Sequence, residues 1–200
     1  MAEKFRQWRR SPVRFVREVI GAEPSNQQTE ALETIGHMVN GRRKHSQGEK
    51  LTGAEEKVVD KIGITIRSGR GPGKDAWISW VSWWFLMLWR VDNDPPKLVV
   101  TAPSAKQIRD VYWSEMALWK SKATIPGLFR FFEQQSELIY GKEDKLNWFL
   151  SARVCNVKGD ATEQAGVLGG LHAPYMLLIV DEASDVPTGV FSPLEGTLTG

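Results

Sequence analysis

The chain has 200 residues, 42% of them hydrophobic, which is enough for one globular domain with a substantial core and too few for a second complete one. Its formal charge of +2 is too small to point to nucleic acid by itself, although positive residues crowd Lys4, Arg6, Arg9, Arg10, Arg14 and Arg17, and again Arg42-Arg43-Lys44-His45. The single cysteine, Cys155, excludes an internal disulfide and a multi-cysteine metal site, and fits a reducing compartment.

The start lacks the apolar core of a signal peptide. The longest apolar stretch, Ala76 to Trp89, falls short of the roughly 20 residues that cross a bilayer, so a soluble, intracellular protein with no membrane partner is expected.

Pro12 to Ile20 reads as a short amphipathic helix, with Val13, Phe15, Val16, Val19 and Ile20 among arginines, stopped by Gly21. Pro24-Ser25-Asn26 supplies a cap for a second helix carrying Gln28, Ala31, Leu32 and Ile35, expected to fade at Asn40-Gly41. Residues 41 to 53 read as an exposed connection, and Glu55 to Lys61 as a turn of helix before a first strand, Ile62-Gly63-Ile64-Thr65-Ile66.

A glycine-rich loop follows, Ser68-Gly69-Arg70-Gly71-Pro72-Gly73-Lys74-Asp75, and then a helix from near Ala76 in which Trp77, Trp80, Val81, Trp84, Phe85, Leu88 and Trp89 recur at helical spacing. Those tryptophans are the material of a buried helix, with base stacking as the alternative use. Lys97 to Ala102 gives a second buried strand, Ser104 caps a helix reaching about Lys122, and residues 125 to 159 alternate as antiparallel strands around a hairpin at Gly141-Lys142. Met176 to Val180 is a third apolar strand and runs directly into Asp181-Glu182. Strands alternating with helices predict an α/β fold, a parallel sheet covered on both faces.

Strand, glycine loop and helix in that order suit a polyphosphate, because backbone N–H groups and the positive end of a helix bind phosphate where no side chain blocks approach. Gly69, Gly71 and Gly73 allow the approach, Ala76 lies in the first helical turn, and Lys74 can reach the β- and γ-phosphates as a point charge. Against G-x-x-x-x-G-K-[ST] the loop departs at both ends. Ser68 stands for the first glycine and Asp75 for the hydroxyl that binds Mg²⁺, although a carboxylate also offers a hard oxygen. The alternative is a glycine-rich surface turn.

A lone carboxylate at the end of a buried strand is costly, and a bound Mg²⁺ would offset that cost at Asp181. Glu182 would then act as general base on water. Arg70 can reach the γ-phosphate, as catalyst or as anchor, and Gln28 offers a donor and an acceptor to an adenine edge, with a surface glutamine or the neighbouring Gln27 as alternatives. His172 has no nearby partners for a metal and reads as a loop residue.

Together, Gln27-Gln28-x-Glu30-x-Leu32, Arg70 to Asp75, Thr101-Ala102-Pro103-Ser104 with Gln107, Gly170 to Pro174, and Leu178 to Ser184 resemble the ATPase domain of the large terminase subunit of tailed bacteriophages. The resemblance implies a P-loop NTPase of the ASCE or RecA-like type with a mainly parallel central sheet flanked by helices. Residues 1–53 would form N-terminal helices of that domain, and residues 54–200 its core. It implies ATP and Mg²⁺ as cofactors and places Lys74 on phosphate, Arg70 in hydrolysis and Glu182 on water.

The implied partners are double-stranded viral DNA, a portal protein, a small terminase subunit and further copies in a ring, in the host cell cytoplasm. A chain ending at Gly200 is expected to stop before a coupling motif and a nuclease domain. A helicase-like DNA-dependent ATPase shares several of these segments, and the unusual Asp75 also suits an assembly module that binds nucleotide without turnover.

Overall fold

Capping chemistry and close approaches set the helical half of the chain. In the computed structural model, which describes residues 1–67, 73–91, 94–155, 159–160, 166 and 172–191, helix α1 (Ala2–Arg10) leads directly into α2 (Pro12–Phe15). The Ser11 hydroxyl accepts the Arg14 N–H and Pro12 fills the first turn, where its missing donor costs nothing. The chain runs on as a π-helical turn, Val16–Ile20, and ends at Gly21 in the left-handed region (φ 80°), which glycine adopts without penalty. This is the helix expected over 12 to 20. Helix α1, in which only Trp8 is buried, is not among the elements expected from sequence.

Helix α3 (Asn26–Ser46) opens with a reciprocal capping box: Ser25 takes the Gln28 N–H and the Gln28 side chain takes the Ser25 N–H. It does not fade at Asn40-Gly41. The Asn40 amide donates to the Gly36 carbonyl at 2.7 Å, and Gly41 leaves room for Glu55, whose Cβ lies 3.2 Å from where a Gly41 Cβ would stand. The glycine is therefore a packing site, and the connection expected from residue 41 begins as helix. Glu55 belongs to α4 (Gly53–Glu56) and pairs with Lys44 at 2.8 Å.

Helix α5 (Lys74–Leu88) starts two residues before Ala76 and is buried from Trp77 through Leu88. Its two serines, Ser79 and Ser82, are fully buried too: Ser82 donates to the Ile78 carbonyl and accepts from the Tyr112 hydroxyl. Desolvation in that packing pushes the Tyr112 hydroxyl well above the usual tyrosine range, so it stays a neutral donor.

Five strands follow: β1 (Lys97–Ala102), β2 (Phe132–Gln135), β3 (Leu138–Gly141), β4 (Phe149–Val154) and β5 (Met176–Val180), in the order β2-β3-β4-β1-β5. Strand β1 is parallel to both β4 and β5, while β2–β3 and β3–β4 are antiparallel. The sheet is thus mixed, which corrects the expectation of a mainly parallel one: the hairpin region joins the same sheet. Between β1 and β2, Ser104 accepts the Gln107 N–H, and a π-helical turn (Gln107–Tyr112) runs into α6 (Trp113–Lys122).

The strand expected at Ile62–Ile66 takes no part in the sheet. Ile62 and Ile66 are 58% and 38% exposed, and Ile64 packs against the core. Alternating β-branched residues favour extended backbone, but a strand also needs a ladder partner, and none of the five described strands supplies one.

One hydrophobic cluster runs from Trp8 through α5 and the sheet to Ile179, so the N-terminal helices share a core with the strands. Among the described residues no helix is long and apolar enough to cross a membrane.

Candidate functional site

Parallel pairing of β1 with β5 brings the ends of two distant segments together. The Asp181 N–H donates to the Thr101 carbonyl at 2.9 Å, so Asp181 emerges at the carboxyl edge of the sheet beside the Thr101-Ala102-Pro103-Ser104 segment. That edge is where open α/β sheets bind ligands. Lys74, at the first turn of α5, reaches it from the glycine loop: its ammonium lies 2.8 Å from Asp181 Oδ1 and 2.7 Å from Glu182 Oε1.

Burial by itself would lower the pKa of the Lys74 ammonium. The hydrogen bonds and charges of Asp181 and Glu182 outweigh it and hold that pKa above the usual lysine value. The lysine is therefore a fixed cation at the mouth of the loop.

Asp181 is 4% exposed and fully engaged. Oδ1 takes Lys74 and the Glu182 N–H at 3.0 Å, and Oδ2 takes the Gln107 side-chain amide at 2.7 Å. Gln107 is aimed by Ser104, whose hydroxyl caps its N–H. Ser104 and Gln107 share the segment that resembles the terminase family, but the sequence assigns Gln107 no task.

Glu182 holds φ 50°, ψ 46°, a left-handed backbone that costs a non-glycine residue about 1–2 kcal/mol. Such strain persists where surrounding contacts overdetermine it, and here they are the Lys74 pair and the Asp181 carboxylate.

Asp75 lies next to Lys74 with no hydrogen bond or ion pair among the described residues. Its carboxyl sits above the usual range, first because it is desolvated and second because Asp181 is a like charge nearby, with Glu115 and Glu182 adding to the effect and Lys74 opposing it. Two carboxylates held against their own repulsion fit a hard divalent cation. No group of three or more His, Cys, Asp or Glu suited to a metal occurs among the described residues.

Gln28 is brought to the loop, but not as a free amide. Its Oε1 accepts the Ser25 N–H at 2.9 Å and its Nε2 donates to the Gly73 carbonyl at 2.8 Å, so the two ends needed to read an adenine edge are engaged. The side chain ties the start of α3 to the last glycine before Lys74. Should a phosphate chain bind beside Lys74, a loop-positioning Gln28 predicts that Gln28→Ala weakens ATP, GTP and inorganic tripolyphosphate alike, by about tenfold for one part-buried hydrogen bond of ~1.4 kcal/mol. Calorimetric titration checks this; a loss confined to ATP would restore the base-reading role.

Of the remaining residues, Ala76 stands in the first turn of α5 as expected, while Gly69, Arg70 and Gly71 lie outside the described residues. His172 is exposed, and its carbonyl accepts from the Lys97 ammonium.

The two basic runs are largely spoken for. Arg6, Arg14 and Arg17 pair with Glu3, Glu18 and Glu23, and Arg43 and Lys44 with Glu49 and Glu55. Arg42 donates to the carbonyls of Val59 and Lys61, fastening the segment that leads into the loop.

No protein-family model matches the chain, and no solved structure matches it either. Among curated proteins, the chain is 27% identical over 138 residues to the "Probable terminase, large subunit" of Enterobacteria phage P7, an alignment covering 68% of this chain and 26% of that protein. The chain thus spans about a quarter of the length of this relative, and its likeness to a large terminase subunit is a distant one.

Proposed function

We propose that the chain is the ATP-hydrolysing motor part of a phage terminase large subunit, a P-loop domain that drives double-stranded DNA into procapsids in the host cytoplasm. The observation that carries the reading is the convergence of Lys74 on Asp181 and Glu182 at 2.8 and 2.7 Å, across 107 and 108 residues of sequence. A loop lysine joined to a strand-end acid pair at the carboxyl edge of a sheet has the parts of a phosphoryl-transfer site. The likeness to the phage P7 protein supports the biological setting.

In this reading Lys74 exchanges its carboxylate partners for β- and γ-phosphate oxygens. Asp181 and Asp75 would hold Mg²⁺, which would supply positive charge to the phosphates. Glu182, released from Lys74, accepts a proton from the attacking water, and Gln107 keeps Asp181 oriented. Arg70 completes the loop as anchor or charge stabiliser. DNA, portal protein, small subunit and neighbouring copies are the partners such a motor engages.

Phosphate release by the intact protein tests the reading. Glu182→Gln is expected to keep Mg²⁺-ATP binding within a few-fold and to lower turnover by about 10²–10⁴-fold, the range for a lost general base. Turnover at the original rate would remove Glu182 from the chemistry. The engaged state of Lys74 and the carboxylate at position 75 favour one second reading, an assembly module that binds nucleotide without turning it over. Tight binding with no phosphate release from the original protein, with DNA present, would select it.

A further inference from the structure

Next to Gly73 and Asp75 lies a cleft of about 600 Å³ lined by residues of α5, α6 and the turn that follows Gly21. Trp80 of α5 and Trp119 of α6 form its aromatic wall, meeting edge to face with ring centroids 5.1 Å apart, and Leu118, 39% exposed, stands at its rim. Trp119 is held in place by its indole N–H, which donates to Glu115 at 2.7 Å. Trp80 is 3% exposed, and its own indole N–H has no partner among the described residues.

Gly73 and Asp75 belong both to the cleft lining and to the loop segment, and Gln28, also on the lining, donates to the Gly73 carbonyl. A ligand with phosphates at Lys74 therefore has one wall of this cleft within reach. The charge there sorts the two ends of such a ligand. Glu115 and Lys122 line the α6 side of the cleft, and Glu23, on the side of the turn after Gly21, is paired with Arg17, so that end offers hydrogen-bond acceptors and a donor to neutral groups and, among the described residues, no cluster of cations for polyphosphate. The volume lies in the range of small-ligand sites, and a wall of indole with a few fixed polar groups is their usual lining.

Resting on the reading of Lys74 as a phosphate ligand, we infer that this cleft takes the nucleoside end of a nucleoside triphosphate, the base against Trp119 and the sugar and base donors on the Glu115 side. Lys122, whose ammonium lies 5.1 Å from the centre of the Trp119 ring, supplies a donor to base acceptors. Gln28, engaged at both ends, forms the partition between cleft and loop and leaves base recognition to α6.

The test compares Mg²⁺-ATP with Mg²⁺-tripolyphosphate by calorimetry on the intact protein. Trp119→Ala is expected to weaken ATP by about 10- to 100-fold, the worth of one base–aromatic stack, and to leave tripolyphosphate unchanged. Leu118→Asp, at an exposed position whose change does not touch the core, should show the same selectivity more weakly and guards against a misfolded Trp119 variant. If both variants bind ATP as the original does, or lose both ligands equally, the nucleoside lies elsewhere and the inference falls while the phosphate site stands. If the original protein binds neither ligand, both readings fall.

Discussion

In the proposed motor, replacing Lys74 by alanine is expected to abolish ATP turnover, a loss of about a thousandfold or more, and to destabilise the ligand-free protein at the same time. The two effects share one cause. In the free protein the ammonium is the only side-chain cation on Asp181, which is 4% exposed among described neighbours. Without it the carboxylate keeps only the Gln107 amide and the Glu182 N–H.

A fully buried pair that loses one partner costs ~3–5 kcal/mol. The Lys74 side chain is 23% exposed, so solvent replaces part of what is lost and about 1–3 kcal/mol is expected. Urea unfolding without nucleotide reads the stability, and phosphate release reads the turnover. A surface turn with a solvated lysine would show neither loss, so a variant with unchanged unfolding and unchanged hydrolysis would sink the site. If stability falls but hydrolysis persists, Lys74 is a structural counterion and the phosphates bind elsewhere.

The pairing of loop and acid pair was legible because each side has a local signature: a glycine loop before a helix, and two acids after an apolar strand. The same holds for β1, β5 and α5, whose apolar runs are long enough to be read without tertiary context. What failed was decided by neighbours. Ile62–Ile66 has the composition of a strand but no ladder, and β2, exposed at Glu133, Gln134 and Gln135, has the ladder without the composition. Gly41 read as a helix stop because its partner, Glu55, is not visible in a one-dimensional pattern.

In the site, hydrogen bonds add what residue type alone does not carry: Gln28 ties α3 to the Gly73 carbonyl, and Gln107, given no task from sequence, donates to Asp181. The basic runs show the same limit. Charge density along the chain says nothing of the acids that fold back onto it.

The second large effect is expected at Trp84→Ala, a loss of about 3–5 kcal/mol in unfolding free energy, the range for removing a buried aromatic side chain. Trp84 is 0% exposed and packs edge-on to Trp89 with ring centroids 5.7 Å apart. Its indole N–H donates to the Trp8 carbonyl at 2.9 Å, and Trp8 in turn donates to Glu18 at 2.8 Å. Alanine therefore opens a cavity under α5 and also orphans the carbonyl that fastens α1 to it, so the two penalties add at one position.

Trp84→Phe separates them. It keeps most of the volume, loses the hydrogen bond, and should cost about 1–3 kcal/mol. If the tryptophans of α5 were instead a platform for nucleic-acid bases, Trp84→Ala would leave unfolding nearly unchanged and weaken single-stranded DNA binding, the reverse pattern. The consequence reaches the site, because α5 carries Lys74 on its first turn: a helix that loses its grip on α1 and the core no longer fixes the ammonium against Asp181. Trp84→Ala should then lower nucleotide affinity without touching a single residue of the loop, and Trp84→Phe should not.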